Sequence, residues 1–272
     1  MYIFKTKASG VTILRVLVLN LFIILLSTMV LQADILVDPS RYIISVSPGA
    51  RVTETVRVTN QTEQTLFLYA NFYDWDLDEN FELETFELGT LPSSMEGFFR
   101  FNPRLFNLEP GETQVVRFTI DIPEEEMDRE RRGIIFFEHR QDIEQEGVGA
   151  TVVSRIGTTV YAIPTGLNFT LNLLDNRVLR NEEGQIFIAY LTENASSRHL
   201  RFDLKYSLIS AGGRLLEEDL IKETVLLPGM RRSLFHPLHT QLSAGEYELA
   251  AEFTFPNTSE TLTQTITFTV GD

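Results

Sequence analysis

Apolar and polar residues alternate with a period of two through most of the chain after residue 34. The clearest segments are VRVTN at 56–60, QVVRFTI at 114–120 and TLTQTITFTV at 261–270. This period places successive side chains on opposite faces of a strand, so it predicts β-strands and not helices. Short strands separated by turn residues are typical of antiparallel sandwiches. We therefore predict an all-β protein.

A turn signal recurs in both halves of the chain. Pro48-Gly49, Pro110-Gly111 and Pro228-Gly229 each precede a predicted strand. Proline presets φ at the first corner of a type II turn, and glycine accepts the positive φ required at the second. The shared device predicts two β-sandwich domains, one over residues 34–164 and the other over residues 165–272.

Several segments carry more specific predictions. Residues 74–80 are predicted to form a polar loop, and residues 123–132 a single helical turn. The apolar stretch 98–108 contains Pro103, which lacks a backbone N–H and therefore favours an edge strand or a bulge. The strands predicted for the second half are 168–173, 185–191, 200–209, 214–220, 232–238, 246–255 and 261–270.

The segment from Thr151 to Pro164 is the longest predicted strand of the first half and enters the second half through a short elbow at 164–166. One face carries Val152, Ser154, Ile156, Thr158, Val160 and Ala162, and the other carries Val153, Arg155, Gly157, Thr159, Tyr161 and Ile163. Both faces contain apolar or β-branched residues, so neither is clearly the solvent face. The strand is therefore either covered on both sides or an edge available to a partner.

The first 33 residues have the order of a secretory signal peptide. Lys5, Lys7 and Arg15 precede an apolar run at 16–31, and Ala33 is small enough to precede a cleavage site. We expect export to the periplasm and no membrane insertion after cleavage. Retention at the membrane or cell surface by an uncleaved signal is the alternative.

The charge of the chain argues against a nucleic acid partner. The net charge is −15, and residues 1–33 hold three of the 23 basic residues and none of the 38 acidic ones, which leaves −18 after cleavage. Phosphate groups would be repelled by such a chain. The chain has no cysteine, so disulfides and thiol chemistry are excluded. Sequons begin at Asn60, Asn168, Asn194 and Asn257, and we interpret them as coincidental in an exported bacterial protein.

No segment predicts a metal site, a cofactor or an enzyme. The acidic run 74–80 would need glycine at Glu79 and glutamate at Thr85 to match a calcium loop, so we interpret it as a solvated acidic hairpin. His236 and His239 are separated by a proline and do not form a zinc motif alone. Catalytic signatures such as G-x-S-x-G and HExxH are absent from the sequence.

Two clusters are predicted to have only structural roles. Arg129, Arg131 and Arg132 stand among acidic residues and are interpreted as a surface ion-pair cluster of little energetic value. The aromatic residues Trp75, Phe98, Phe99, Phe101 and Phe106 are interpreted as core residues.

The first half resembles the periplasmic pilus-assembly chaperones, the PapD-like family. The resemblance rests on the order and spacing of Arg41, VRVTN (56–60), YDW (73–75), FNPRLFNLEPGETQVVRF (101–118), DRERRGIIFFEHR (128–140) and VYAIP (160–164). It implies two Ig-like sandwiches set as a boomerang around a cleft. It also implies that the last strand of the first domain is added to a secreted subunit lacking one of its own strands.

Carried over to this chain, the resemblance implies a donated strand at 151–161, with Val152 or Val153 and Ile156 as inserted side chains. It implies partners that are secreted pilin-like or surface subunits, with an outer-membrane usher as a further partner. The family grips the subunit's terminal carboxylate with an arginine and a lysine, and Arg41 occupies the arginine's place. Thr159 occupies the lysine's place.

Arg155 lies four residues before Thr159 on the same face and is the candidate replacement for the lysine. Without the resemblance, Arg41 and Arg155 would be interpreted as ordinary strand arginines. The alternative function is a structural or adhesive cell-envelope module without chaperone activity. In that case the last strand of the first domain is covered on both sides, and binding uses loops such as 74–80 and 144–149.

Overall fold

The computed structural model describes residues 34–125, 127–145, 148–256 and 260–271. The expected signal peptide, residues 1–33, lies outside the described residues. The regular structure consists of strands, which confirms the prediction of an all-β protein. Within the described ranges, no helix is both long and apolar enough to cross a membrane.

The first sandwich consists of ten strands in two sheets. The strands are β1 (Ile35–Asp38), β2 (Arg41–Val46), β3 (Arg51–Asn60), β4 (Leu66–Leu77), β5 (Leu83–Phe86), β6 (Phe99–Asn102), β7 (Leu105–Leu108), β8 (Thr113–Asp121), β9 (Arg131–Gln145) and β10 (Val148–Pro164). One sheet has the order β1-β3-β8-β6, and the other has the order β2-β10-β9-β4-β5 with β7 also paired to β4. Alternate apolar residues of both sheets form the core between them, including Val56, Phe118 and Phe137.

One local prediction for the first sandwich is wrong in part, and another is wrong. Of the polar loop predicted at 74–80, only residues 78–80 lie outside a strand, at the tip of the acidic hairpin. Residues 74–77 belong to strand β4, which forms a hairpin with β5. Asp74 is fully buried there, and its Oδ2 accepts backbone N–H bonds from Gly89, Thr90 and Leu91 at 2.9–3.0 Å. These charge-assisted bonds offset the burial of a carboxylate in a strand, which the polar sequence alone does not indicate.

The helical turn expected within 123–132 is the second error. In the described part of this segment the chain bends and then enters β9 at Arg131. The edge-strand prediction for 98–108 is confirmed, because β6 is the edge of the first sheet. At Pro103 the chain leaves that sheet and continues as β7 in the other.

The second sandwich consists of a three-stranded and a four-stranded sheet. Its strands are β11 (Leu171–Arg180), β12 (Ile186–Asn194), β13 (Leu200–Ser210), β14 (Leu215–Leu226), β15 (Arg231–Pro237), β16 (Gly245–Thr254) and β17 (Thr261–Val270). The sheet orders are β11-β12-β15 and β14-β13-β16-β17. Every strand predicted from the sequence is present. The first begins at Leu171 and not at 168, because Thr170 donates its N–H to Ser196 Oγ and not to a strand.

A buried asparagine beside a Pro-Gly turn makes the same contacts in both sandwiches, and we call this arrangement the asparagine corner. Asn60 and Asn194 are fully buried, and each amide NH₂ donates to two backbone carbonyls at 2.7–3.0 Å. The backbone carbonyls of Asn60 and Asn194 accept N–H bonds from Gly111 and Gly229. These are the glycines of the Pro-Gly turns, and the φ of each is +75°. These two sequon asparagines therefore have structural roles that burial makes incompatible with a glycan.

An apolar cluster joins the two sandwiches. Trp75, Tyr161 and Ile163 of the first sandwich pack with Leu227 of the second. Trp75 therefore lies between the sandwiches and not in the core of the first one, while Phe101 and Phe106 are in that core as predicted. Burial of such large side chains stabilises a defined arrangement of the two halves.

Candidate partner-binding site

Strand β10 is covered on both sides over its last third. From Thr159 to Pro164 it pairs with β2 in parallel, and it pairs with β9 antiparallel from Val148 to Ala162. In this part Val160 and Ala162 face the core of the first sandwich, while Tyr161 and Ile163 face the second sandwich. Here the strand is structural, as the alternative function requires.

The preceding part of β10 is a sheet edge. Within the described chain, residues 152–157 form a strand ladder with β9 alone. Thr159 donates its N–H to Ser40, on the side away from β9. Because backbone groups alternate along a strand, Val153, Arg155 and Gly157 direct their N–H and C=O groups to that same open side. These groups can accept an added strand.

Exposed apolar side chains accompany this open edge. Val152 and Val153 are 46% and 48% exposed, and they lie on opposite faces of the strand. Ile156 is partly buried and packs against the core of the first sandwich. Of the three predicted insertion residues, the two valines therefore remain accessible to a partner, while Ile156 is largely engaged within the chain.

An apolar surface continues from Val153 across the sheet. Arg155, Glu138, Tyr69 and Leu105 are consecutive partners on four neighbouring strands and so share one face. Two residues along, Val153 and Phe67 lie on the same face. Phe67, Tyr69 and Leu105 are all exposed. A run of large apolar side chains beside an open edge is typical of an interaction surface.

Arg155 has a carboxylate partner within the sheet. Its Nε lies 3.0 Å from Oε1 of Glu138, whose side chain is only 3% exposed. The guanidinium also lies over the rings of Phe136 and Tyr73, at 4.6 and 5.6 Å from their centroids. These contacts hold Arg155 on the sheet surface beside the open edge.

Arg41 lies in a cleft between the two sandwiches. It lines a cavity of about 290 Å³ together with Arg198 and Arg201 of the second sandwich. The Nε atoms of Arg198 and Arg201 are shielded from solvent and have no hydrogen-bond partner. Buried donors of this kind are costly unless a ligand satisfies them.

The same cavity also contains two acidic residues, so its arginines outnumber its carboxylates by one. Asp203 and Glu223 also line it, and Oδ1 of Asp203 accepts the backbone N–H of Glu223 at 2.7 Å. Three arginines around one cavity form a basic site in a chain whose net charge is −15. Such a site attracts a carboxylate, which accepts two parallel bonds from a guanidinium.

A buried hydrogen-bonded contact between the two sandwiches lies next to Arg198 in the chain. Oε2 of Glu130, before β9, accepts the backbone N–H of His199 at 2.8 Å and lies 2.5 Å from its Nδ1. Both residues are almost fully buried, and the ring of Tyr161 packs on His199 at 4.2 Å. Arg198 precedes this fixed histidine directly in sequence, and it lines the same cavity as Arg41.

Tyr161 is buried between the two sandwiches, and this burial changes its pKa. Burial raises the pKa of its hydroxyl, and the nearby positive charge of Arg201 opposes the shift. Nη2 of Arg201 lies 3.5 Å from that hydroxyl oxygen.

The prediction of a surface ion-pair cluster around residue 130 is partly wrong. Arg129 is exposed, but Glu130 and Arg132 are buried between the sandwiches.

Thr159 is directly opposite Arg41 in the parallel ladder between β10 and β2. The position is therefore in the cleft, as the resemblance implies, but it carries no cation. The cations beside Arg41 come from Arg198 and Arg201, which sequence reasoning missed. The only signal was the basic motif RHLR at 198–201, which is uninformative without knowledge of the facing strand.

No protein-family model matches the sequence, and no curated protein matches it. Several solved structures of fimbrial chaperones are similar to it. One, from a study of a chaperone–tip adhesin complex in CFA/I fimbriae biogenesis, is 14% identical with a TM-score of 0.48, covering 86% of this chain and 98% of that one.

Two further similar structures come from named bacteria. The CsuC–CsuE chaperone–tip subunit complex of Acinetobacter baumannii Csu pili is 12% identical with a TM-score of 0.44, covering 85% of this chain and 98% of that one. The Salmonella enterica SafA pilin–SafB chaperone complex is 12% identical with a TM-score of 0.43, covering 86% and 97%. All three similarities are at 14% sequence identity or less, with TM-scores below 0.5.

Proposed function

We propose that this chain is a non-enzymatic periplasmic chaperone that binds secreted Ig-like subunits lacking a strand. The open edge of β10 over residues 152–157 is the observation that carries this proposal. A chain that uses β10 only for its own stability has no need for exposed valines on both faces of that edge. An incomplete Ig-like subunit has the complementary defect, an open groove beside an unpaired strand.

Strand addition pairs the open edge of β10 and fills the open groove of the subunit in one contact. The outward backbone groups of Val153, Arg155 and Gly157 pair with a strand of the subunit, and Val152 or Val153 enters its groove. Each valine buried in this way contributes about 1.5 kcal/mol or more. Phe67, Tyr69 and Leu105 give the subunit a second apolar contact on the same face as Val153. The pairing also covers surfaces of the subunit that would otherwise aggregate.

The cleft arginines anchor the end of the subunit. Arg41, Arg198 and Arg201 bind its C-terminal carboxylate, which supplies the acceptors that the two buried Nε atoms lack. Arg198 and Arg201 take the role that the resemblance assigns to a lysine at position 159. Arg155 instead stabilises Glu138 beside the donated segment.

Site-specific photo-crosslinking in the native host tests the strand-addition step. The crosslinker is placed at position 153 on the open edge and, as a matched control, at 265, an exposed position on strand β17. A third chain carries it at 78, in the acidic hairpin. We expect small secreted subunits to be trapped at 153 and absent at 265 and 78. Products at 78 with none at 153 would contradict strand addition and favour a cell-envelope module that binds through its loops.

Arginine substitutions test the anchoring step separately. In chains with the crosslinker at 153, Arg41→Ala and Arg201→Ala are each expected to lower the trapped fraction about tenfold or more, because a charged hydrogen bond is lost. Arg57→Ala, at an exposed arginine of β3, is the control and is expected to change nothing. Trapping at wild-type levels in both cleft variants would refute carboxylate anchoring and leave strand addition standing.

A further inference from the structure

The second sandwich contains a cluster of metal-binding side chains that the proposed function does not use. Asp219, His236 and His239 each offer one ligand atom, and these three atoms lie within 4.8 Å of one another. The two histidines are close in sequence, but the aspartate is on a different strand. The cluster is remote in the fold from the cleft, which is lined by β2 and by residues around 198–203.

The topology brings these residues to facing edges of two sheets. Asp219 is on β14, an edge strand of the four-stranded sheet, and His236 is on β15, an edge strand of the three-stranded sheet. Asp219 is opposite Tyr206, whose side chain is fully buried in the core, so the carboxylate is on the inward face. On β15, Leu234 and His236 point inward, while Phe235 is exposed.

His236 has an unsatisfied nitrogen directed at the aspartate. Its Nε2 is shielded from solvent and lies 3.2 Å from Oδ2 of Asp219, but the two atoms are not aligned for a hydrogen bond. A buried polar atom without a partner is costly. A cation bound by both atoms removes that cost. The separation also matches the spacing of about 3.3 Å between ligand atoms around a tetrahedral ion with bonds near 2.0 Å.

Neighbouring groups hold the third ligand in place. The carboxylate of Glu217, two residues from Asp219 on β14, accepts the backbone N–H of His239 at 3.0 Å and that of Thr240 at 2.6 Å. The hydroxyl of Tyr206 donates to the same carboxylate at 2.9 Å. The turn that carries His239 is thus attached to β14. His239 is exposed, and one of its ring nitrogens already lies within 4.8 Å of the other two ligand atoms.

We propose that Asp219, His236 and His239 form a binding site for a zinc-like divalent transition metal ion. Two imidazole nitrogens and one carboxylate oxygen are a ligand set for zinc, with the fourth position open to water. Calcium and magnesium prefer sites built from oxygen, so they are poor competitors. The bound ion joins β14 to β15 and thereby links the two sheets at their open edges.

The same residues have a role that requires no metal. An inward-pointing charge on an edge strand discourages edge-to-edge association, and the histidine then serves only as an ion-pair partner. The two roles differ in one measurable property. Only the metal site loses zinc affinity when His239 is changed, because His239 is exposed and is not needed for the contact between Asp219 and His236.

Zinc titration of the tag-free protein by calorimetry tests the proposal. We expect saturable binding of one ion per chain in the wild type, and an affinity at least about tenfold weaker in His239→Gln and in Asp219→Asn. His139→Gln is the matched control, since His139 lies in the first sandwich, where its Nδ1 is 3.1 Å from the carbonyl oxygen of Phe67. Its zinc affinity is expected to equal that of the wild type.

Cobalt substitution provides a second readout. Cobalt(II) bound to the wild type is expected to give visible absorption bands of a four-coordinate site, and these bands are expected to disappear in His239→Gln. Absence of saturable zinc binding in the wild type would overturn the proposal. Equal zinc affinity in the wild type and His239→Gln, or calcium competing as strongly as zinc, would overturn it as well.

Discussion

The final strand of the second sandwich, β17, and the outer segment of the final strand of the first, β10, are both open sheet edges, but they differ in the side chains they expose. In β17 every second residue, including Leu262, Ile266 and Phe268, packs against its own core, and the residues between them are exposed threonines over most of the strand. In β10 the outer segment exposes Val152 and Val153 on opposite faces. An edge strand with polar outer positions completes a domain, whereas an apolar edge without a covering strand is suited to a partner.

The comparison also separates two parts of a single strand. Residues 159–162 of β10 are paired with β2 on one side and with β9 on the other, as in a central strand. The change of environment occurs where β2 begins, at Arg41, directly opposite Thr159. The structural and the partner-binding uses of β10 therefore follow one another along the same strand, adjacent to the basic cleft.

The largest effect is expected at a feature that the two sandwiches share. Asn60→Ala and Asn194→Ala each remove two hydrogen bonds to backbone carbonyls, one of them in the buried interior, so each should lower the free energy of unfolding by about 2–4 kcal/mol. Urea unfolding followed by fluorescence measures this. Asn168→Ala, at an exposed sequon, is the control and should change stability by less than about 0.5 kcal/mol. A small loss of stability in only one of the two variants would show that the two sandwiches do not depend equally on the asparagine corner.

The contrast between the final strands predicts that replacing a side chain by alanine lowers stability in β17 but lowers subunit capture in β10. Phe268→Ala on β17 removes a ring that stacks on Tyr247 at 5.7 Å and should cost about 2–3 kcal/mol of stability, because the side chain is only partly buried. Val153→Ala on β10 should change stability by less than about 0.5 kcal/mol but lower subunit capture. Thermal unfolding and capture assays on both variants give the comparison. Substantial destabilisation by Val153→Ala would place this valine in the core and contradict an open edge.

The ion pair of Arg155 is expected to have an intermediate effect. Arg155→Ala leaves the nearly buried Glu138 with Arg140 at 3.6 Å as its remaining partner and should cost about 1 kcal/mol. The exposed pair of Lys205 and Glu218 in the second sandwich is the matched control. Lys205→Ala should cost less than about 0.5 kcal/mol. If Arg155→Ala instead abolished capture without a change in stability, Arg155 would be a cleft anchor.

The smallest effect is expected from restoring a cation at position 159. Thr159→Lys adds a charge opposite Arg41, where Arg198 and Arg201 already line the cavity. Subunit capture should therefore change by less than about threefold, since a further like charge adds little to three arginines. A large gain in capture would show that the arginines of the second sandwich do not replace the lysine. Crosslinking yield from position 153 is the measurement.

Local patterns were sufficient to predict most of the fold. The alternation in segments such as 114–120 and 261–270 depends only on neighbouring residues, so it indicated strands directly. The polar segment 74–77 was misjudged because the partners of Asp74 are backbone groups of residues 89–91, which no local pattern indicates. The buried role of Glu130 was missed for the same reason, because His199 comes from the other sandwich.

The sequence by itself determined the all-β class, the positions of the strands, the Pro-Gly turns and the importance of the strand ending at Pro164. These depend on side-chain alternation and on the backbone preferences of proline and glycine, which act over a few residues. Only the tertiary structure decided which part of β10 is open, that Arg198 and Arg201 join Arg41, and that Asp219 meets His236 and His239. Each of these depends on contacts between residues far apart in the chain, which are determined by how the sheets pack.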